Sequence, residues 1–169
     1  LAEDVLVLFY ETKDALYAIR SPFGFEGEGS TRKPLKSERS EDKETLDNAY
    51  VIIERYKKYQ EIFNKLYAMR YRFMAQIGKE KAKPFDDLNQ IIKEIILSAR
   101  QLARLWPERH FRNDDEEKKH YERVRKAEGV FWEGSVDPDP INPRLEKVIT
   151  EMEKICRSII EVPNSLYAF

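Results

Sequence analysis

The sequence predicts an all-α fold: an antiparallel helical bundle of four main helices plus one shorter edge helix. Three observations predict it. Apolar residues recur in steps of three and four over long stretches, as one face of a helix requires. No strand-like alternation of useful length occurs. The chain of 169 residues combines 36% charged residues with only six glycines, the composition of long helices with solvated outer faces. This length suits one domain spanning residues 1–169, with a long connector at 21–42.

The first helix is expected over residues 2–20. It ends at Ser21-Pro22, because the residue before a proline disfavours helix. Its start, Val5-Leu-Val-Leu-Phe-Tyr10, is apolar on every side. That fits a helix buried all round, or the end of a longer helix that begins upstream of Leu1. The second helix is expected as one long rod over residues 44–77. Its stripe is Ile52, Tyr56, Tyr59, Phe63, Leu66, Arg70, Phe73 and Ile77, with Gly78 as the stop. Arg70 falls inside this apolar stripe and therefore needs a carboxylate partner.

The third helix opens with Pro84 near its first turn and carries Phe85, Leu88, Ile92, Ile95, Ala99, Leu102 and Trp106 before Pro107 ends it. Asn113 caps the fourth, whose acidic first turn complements the helix dipole. This helix is weakly apolar and belongs at the edge. A proline-stiffened turn at 137–143 leads to the fifth, which buries Leu145, Val148, Ile149, Met152, Ile155, Cys156 and Ile159. The core is expected on helices two, three and five.

Net charge of −1 argues against a globally basic nucleic-acid binder. The single cysteine, Cys156, excludes an intramolecular disulfide and suits a reducing, cytoplasmic setting. No run approaches the ~18–20 apolar residues of a membrane span.

The stretch Gly24-Phe-Glu-Gly-Glu-Gly-Ser-Thr31 has the glycine spacing of a phosphate-binding loop. Such a loop joins a strand to a helix and carries a lysine against the phosphates. Here a helix precedes it, Ser30 stands in the lysine position, and Glu26 and Glu28 repel phosphate. The expectation is an ordered surface loop pinned to the bundle by Phe23 and Phe25.

Glu117 and His120 have the spacing used in di-iron bundles, but a second such pair is missing, so His120 is expected in solvent and no metal or other cofactor is assigned. Arg104 and His110 match the spacing of helical RNases of the HEPN class, where the pair would serve general acid–base cleavage of a phosphodiester. Pro107 interrupts the helix between them. A basic row on the second helix, Arg55, Lys58, Lys65 and Arg72, spans ~25 Å and offers a track for a nucleic-acid backbone or an anionic surface. Its ordinary role is a solvated face paired with neighbouring acids. Phe131 and Trp132, beside an acidic proline-rich loop, either cap the core or form a partner-binding spot.

Ser21-Pro-Phe-Gly24, Leu66-Tyr-Ala-Met-Arg-Tyr-Arg-Phe-Met74, Phe131-Trp-Glu-Gly134 and Asp139-Pro-Ile-Asn-Pro143 resemble an uncharacterised group of bacterial helical proteins. That resemblance implies an N-terminal membrane segment, here upstream of Leu1, and a cytoplasmic helical domain, with no activity to transfer. The sequence therefore favours a non-enzymatic interaction or scaffold domain with a protein partner or a second copy as its ligand. The alternative is a nucleic-acid-binding or HEPN-like protein.

Overall fold

Six α-helices and two single 3₁₀ turns make up the computed structural model, which describes residues 1–161, and no strand occurs among them. They are α1 (Ala2–Arg20), α2 (Lys43–Lys58), α3 (Gln60–Gln76), α4 (Lys83–Leu105), α5 (Asp114–Phe131) and α6 (Asn142–Ile160). The 3₁₀ turns, Ser40–Asp42 and Lys79–Ala82, lead into α2 and α4.

The expected single rod over 44–77 is two helices. Tyr59 leaves helical geometry at φ −102° and ψ 7°, and α3 restarts at once. No proline or glycine marks this break. Its cause is tertiary: α2 packs chiefly on α4, whereas α3 packs on α1, so the chain must turn between them. Tyr56 and Phe63 stack across the bend with centroids 4.7 Å apart.

The apolar stripes on α4 and α6 are buried as their spacing demands, with Leu88, Ile95, Leu102, Met152 and Cys156 all at 1% exposure or less. The Cys156 thiol is pushed up to about 11 by burial, so it stays a protonated, packed group. One contiguous cluster contains the buried apolar side chains apart from Ala49 and Val51, and α1 is part of it. Phe9 meets the edge of Phe85 at 4.9 Å, and Leu16 and Ile19 are fully enclosed. The core is thus not confined to the three helices expected. Nor is the start of α1 enclosed all round, since Val7 is 55% exposed.

Asn113 caps α5 as expected, its Oδ1 accepting the Glu116 N–H at 2.9 Å. Arg70 finds its carboxylate in Asp86, at 2.8 Å, across α3 and α4. Leu66→Ala and Ile95→Ala each remove a side chain exposed by only 4% and 1%. Each substitution is expected to lower unfolding free energy by about 2–5 kcal/mol, measured by denaturant titration.

Candidate interaction surface at the aromatic end

The glycine-bearing connector after α1 is held by polar contacts. Arg55, projecting from α2, is 6% exposed and makes six hydrogen bonds. Two go to the Glu28 carboxylate, at 2.6 and 2.8 Å. Four go to the carbonyls of Ala18, Ile19, Ser21 and Phe23, at the end of α1 and just beyond it. The final carbonyls of a helix have no intrahelical donor, and a guanidinium there also meets the negative end of the dipole. Hydrogen bonding from Arg55 lowers the Glu28 pKa, outweighing burial, which would raise it.

The rest of the loop follows the same logic. The N–H groups of Gly29 and Thr31 and the Thr31 hydroxyl all donate to Glu54 Oε2, at 3.0, 3.4 and 2.7 Å. The loop thus forms an anion-binding concavity of the kind successive amides make. Its anion is the protein's own carboxylate, which occupies the donors a phosphate would need. Gly29 sits at φ +88°, and a Cβ there would lie 2.0 Å from the Asp47 carbonyl oxygen, so only glycine fits against α2. Arg32 then bridges Glu38, at 2.6 and 2.7 Å, and Asp47, at 3.0 Å.

Phe23 and Phe25 do not pin this loop. They stand 85% and 64% exposed, which corrects the expectation of an aromatic anchor. The polar clamp fixes the backbone in a course that turns both rings outward. Lys58 lies over the Phe25 ring at 5.3 Å. Beside them is a notch of about 570 Å³ walled by Phe25, Val51, Trp106 and Trp132, with Thr45 and Asn48 as polar groups. Trp106 donates from Nε1 to Glu128 at 2.8 Å, which fixes its ring. Arg55 approaches Trp132 from behind, 5.6 Å from the ring centroid.

The residues singled out by sequence are scattered. Arg55 is a buried clamp and leaves the basic row. Lys58 and Arg72 are exposed on different helices, separated by the bend at Tyr59, so the row is not one continuous stripe. Lys65 pairs with Glu61 at 3.0 Å in solvent. Phe131 is fully enclosed, edge-on to both Trp106 and Trp132, and only Trp132 of that pair reaches the notch. Arg104 is exposed over the groove between α4 and α5, and His110 is exposed in the segment after α4.

His120 is 4% exposed, contrary to the solvated position expected. It packs on Phe111 at 4.8 Å, with Nδ1 3.2 Å from Glu108 Oε2 but unaligned for a hydrogen bond. No group of three or more potential ligand residues is placed to hold a metal ion among the described residues. No helix among them is long and apolar enough to cross a membrane.

Sequence reasoning missed the Phe23–Phe25 surface and the part Trp106 plays in it. The available signal was the run Ser21-Pro-Phe-Gly-Phe-Glu-Gly27 itself, whose small and polar neighbours give the rings little local apolar company. Compared with known proteins, the chain matches no family model, no curated protein and no solved structure.

Proposed function

We propose that the chain is a non-enzymatic interaction or scaffold domain, the cytoplasmic part of a larger or membrane-tethered bacterial protein, and that its contact surface for a protein partner is the Phe23–Phe25 edge with the Trp106–Trp132 notch. The helices are read as an antiparallel bundle with α5 at its edge. One observation carries the proposal: two phenylalanines are presented to solvent on a loop whose backbone is locked by Arg55, Glu54 and Arg32. A loop whose backbone is already fixed has less conformational entropy left to lose on binding, and exposed aromatics beside a pocket are the common anchors of interfaces.

The double substitution Phe23→Ser with Phe25→Ser is expected to change unfolding free energy by no more than about 0.5 kcal/mol, as exposed positions do. A photo-crosslinking residue at position 25 is expected to give a discrete adduct in bacterial cells that the same residue at exposed Lys81 does not give. A loss of more than about 2 kcal/mol would show that the rings hold the fold and would sink this reading. So would identical crosslinking at the two positions.

A second reading rests on Lys58 and Arg72, which are exposed and have no carboxylate within ion-pair distance among the described residues. They would contact nucleic acid. Labelled RNA and DNA titrated across a salt series separate the two, because phosphate contacts weaken steeply as salt rises.

A further inference from the structure

The outer face of α5 carries charges that no other described residue pairs with. Asp114, Lys118, Glu122, Arg123, Arg125 and Lys126 are all exposed. None has an ion-pair partner among the described residues, and on this face only Asp115 and Lys119 pair, at 2.7 Å. Their order along the helix is antisymmetric. Residues equally distant from position 120 have opposite charge: Asp114 with Lys126, Asp115 with Arg125. Glu117 with Arg123 and Lys118 with Glu122 continue the pattern, while Glu116 and Lys119 have the uncharged Val124 and Tyr121 as counterparts.

The helix dipole explains part of this. It favours acids in the first turn, where Asp114 and Asp115 stand. It does not explain Lys118 preceding Glu122, which is the less favourable order for a pair four residues apart in one helix. An antiparallel copy of the same helix explains the pairs on the exposed side, since a two-fold axis at the level of His120 would set Asp114, Asp115 and Lys118 opposite Lys126, Arg125 and Glu122 of the other copy.

We infer that α5 is a self-association surface, and that its partner is a second copy of this chain docked antiparallel about that two-fold axis. Such an interface is isologous, with the same patch on both copies. Tyr121, 60% exposed, lies beside the axis and supplies the central apolar contact. Leu97 of α4, 51% exposed, lines the groove that also contains Arg123 and Lys126, and extends the apolar part. From residue 114 to residue 126 the helix spans ~18 Å. Helix contacts of that length bury less than the ~1,000 Å² of a tight interface, so the dimer is weak, salt-sensitive and reached only at high concentration. This surface is distinct from the Phe23–Phe25 edge and stands or falls without it.

Sedimentation equilibrium tests it at low salt and up to millimolar protein. The expected result is a monomer–dimer equilibrium whose association constant falls at least about tenfold in high salt, as exposed charge pairs are screened. Arg125→Glu with Lys126→Glu, and separately Asp114→Lys with Asp115→Lys, are each expected to abolish self-association by placing like charges opposite. Mixing the two variants is expected to restore a dimer, because each then presents the complement of the other. All these positions are exposed, so circular dichroism should show both variants folded. A wild-type chain that stays monomeric throughout overturns the inference. So do reversed variants that associate like wild type, or a mixture that remains monomeric.

Discussion

Replacing Arg55 with methionine is expected to lower unfolding free energy by about 3–5 kcal/mol, the range for breaking a buried ion pair by removing one partner. The side chain is 7% exposed and Glu28 only 5%, so solvent cannot take over the lost bonds. Glu28 would be left as a buried carboxylate, and the carbonyls of Ala18, Ile19, Ser21 and Phe23 would lose their donor. Arg55→Lys is expected to recover little, because one ammonium cannot serve a carboxylate and four carbonyls in a planar fork. The double variant with Glu28→Met should be more stable than Arg55→Met alone, since the orphaned charge is then gone. Denaturant titration gives the free energies. Proteolysis near Gly27 reports whether the loop is the part released. Equal stability of Arg55→Met and wild type would show that the guanidinium is not what holds the loop.

Arg20→Met is the second large effect, again about 3–5 kcal/mol. Arg20 is 1% exposed and ends α1 against the far end of α5. It donates to the carbonyls of Gly129, Val130 and Trp132, to Asn142 Oδ1 at 2.6 Å and to Asp139 Oδ2 at 2.9 Å. Asp139 in turn accepts the N–H groups of Gly134, Ile141 and Asn142, which fixes the turn that starts α6. One guanidinium thus ties three helices together.

Burial alone would raise the Asp139 pKa. The Arg20 hydrogen bond and the backbone N–H groups outweigh it and hold the carboxyl at about 2, below its usual 3.8. A carboxylate with a depressed folded-state pKa stabilises the fold above its unfolded value, and that stability is lost as pH falls through the folded value. Melting temperature should therefore drop between about pH 4 and pH 2, and Asp139→Asn should flatten that part of the profile. A profile unchanged by Asp139→Asn would show that this carboxylate does not carry the acid sensitivity.

The two arginine hubs show where the sequence stops being legible. Arg20 and Arg55 look like ordinary helix-surface cations in the text, because their carbonyl partners carry no side-chain signal and lie more than thirty residues away for Arg55 and more than a hundred for Arg20. Arg70 was readable only because it fell within an apolar stripe, and its need for an acid was met by Asp86. The bend at Tyr59 left no mark either. It follows from α2 and α3 having different packing partners, which no local propensity encodes.

The candidate surface was misread for a related reason. Phenylalanines in a glycine-rich loop suggest apolar pins, since burying an aromatic side chain contributes about 1.5–3 kcal/mol. Here the polar bonds of Glu28, Glu54 and Arg32 had already fixed the loop, and their geometry points both rings outward.

By itself the sequence determined the helical class, the C-terminal end of α1, the Asn113 cap and the buried stripes of α4 and α6. Those depend on periodicity, prolines and capping groups within a few residues of one another. The tertiary structure alone decided that α2 and α3 are separate helices, that His120 is buried, that Arg55 is a clamp and that Phe23 and Phe25 face solvent. Each of these depends on which distant backbone carbonyl, carboxylate or helix face comes within bonding distance, and local spacing does not carry that information.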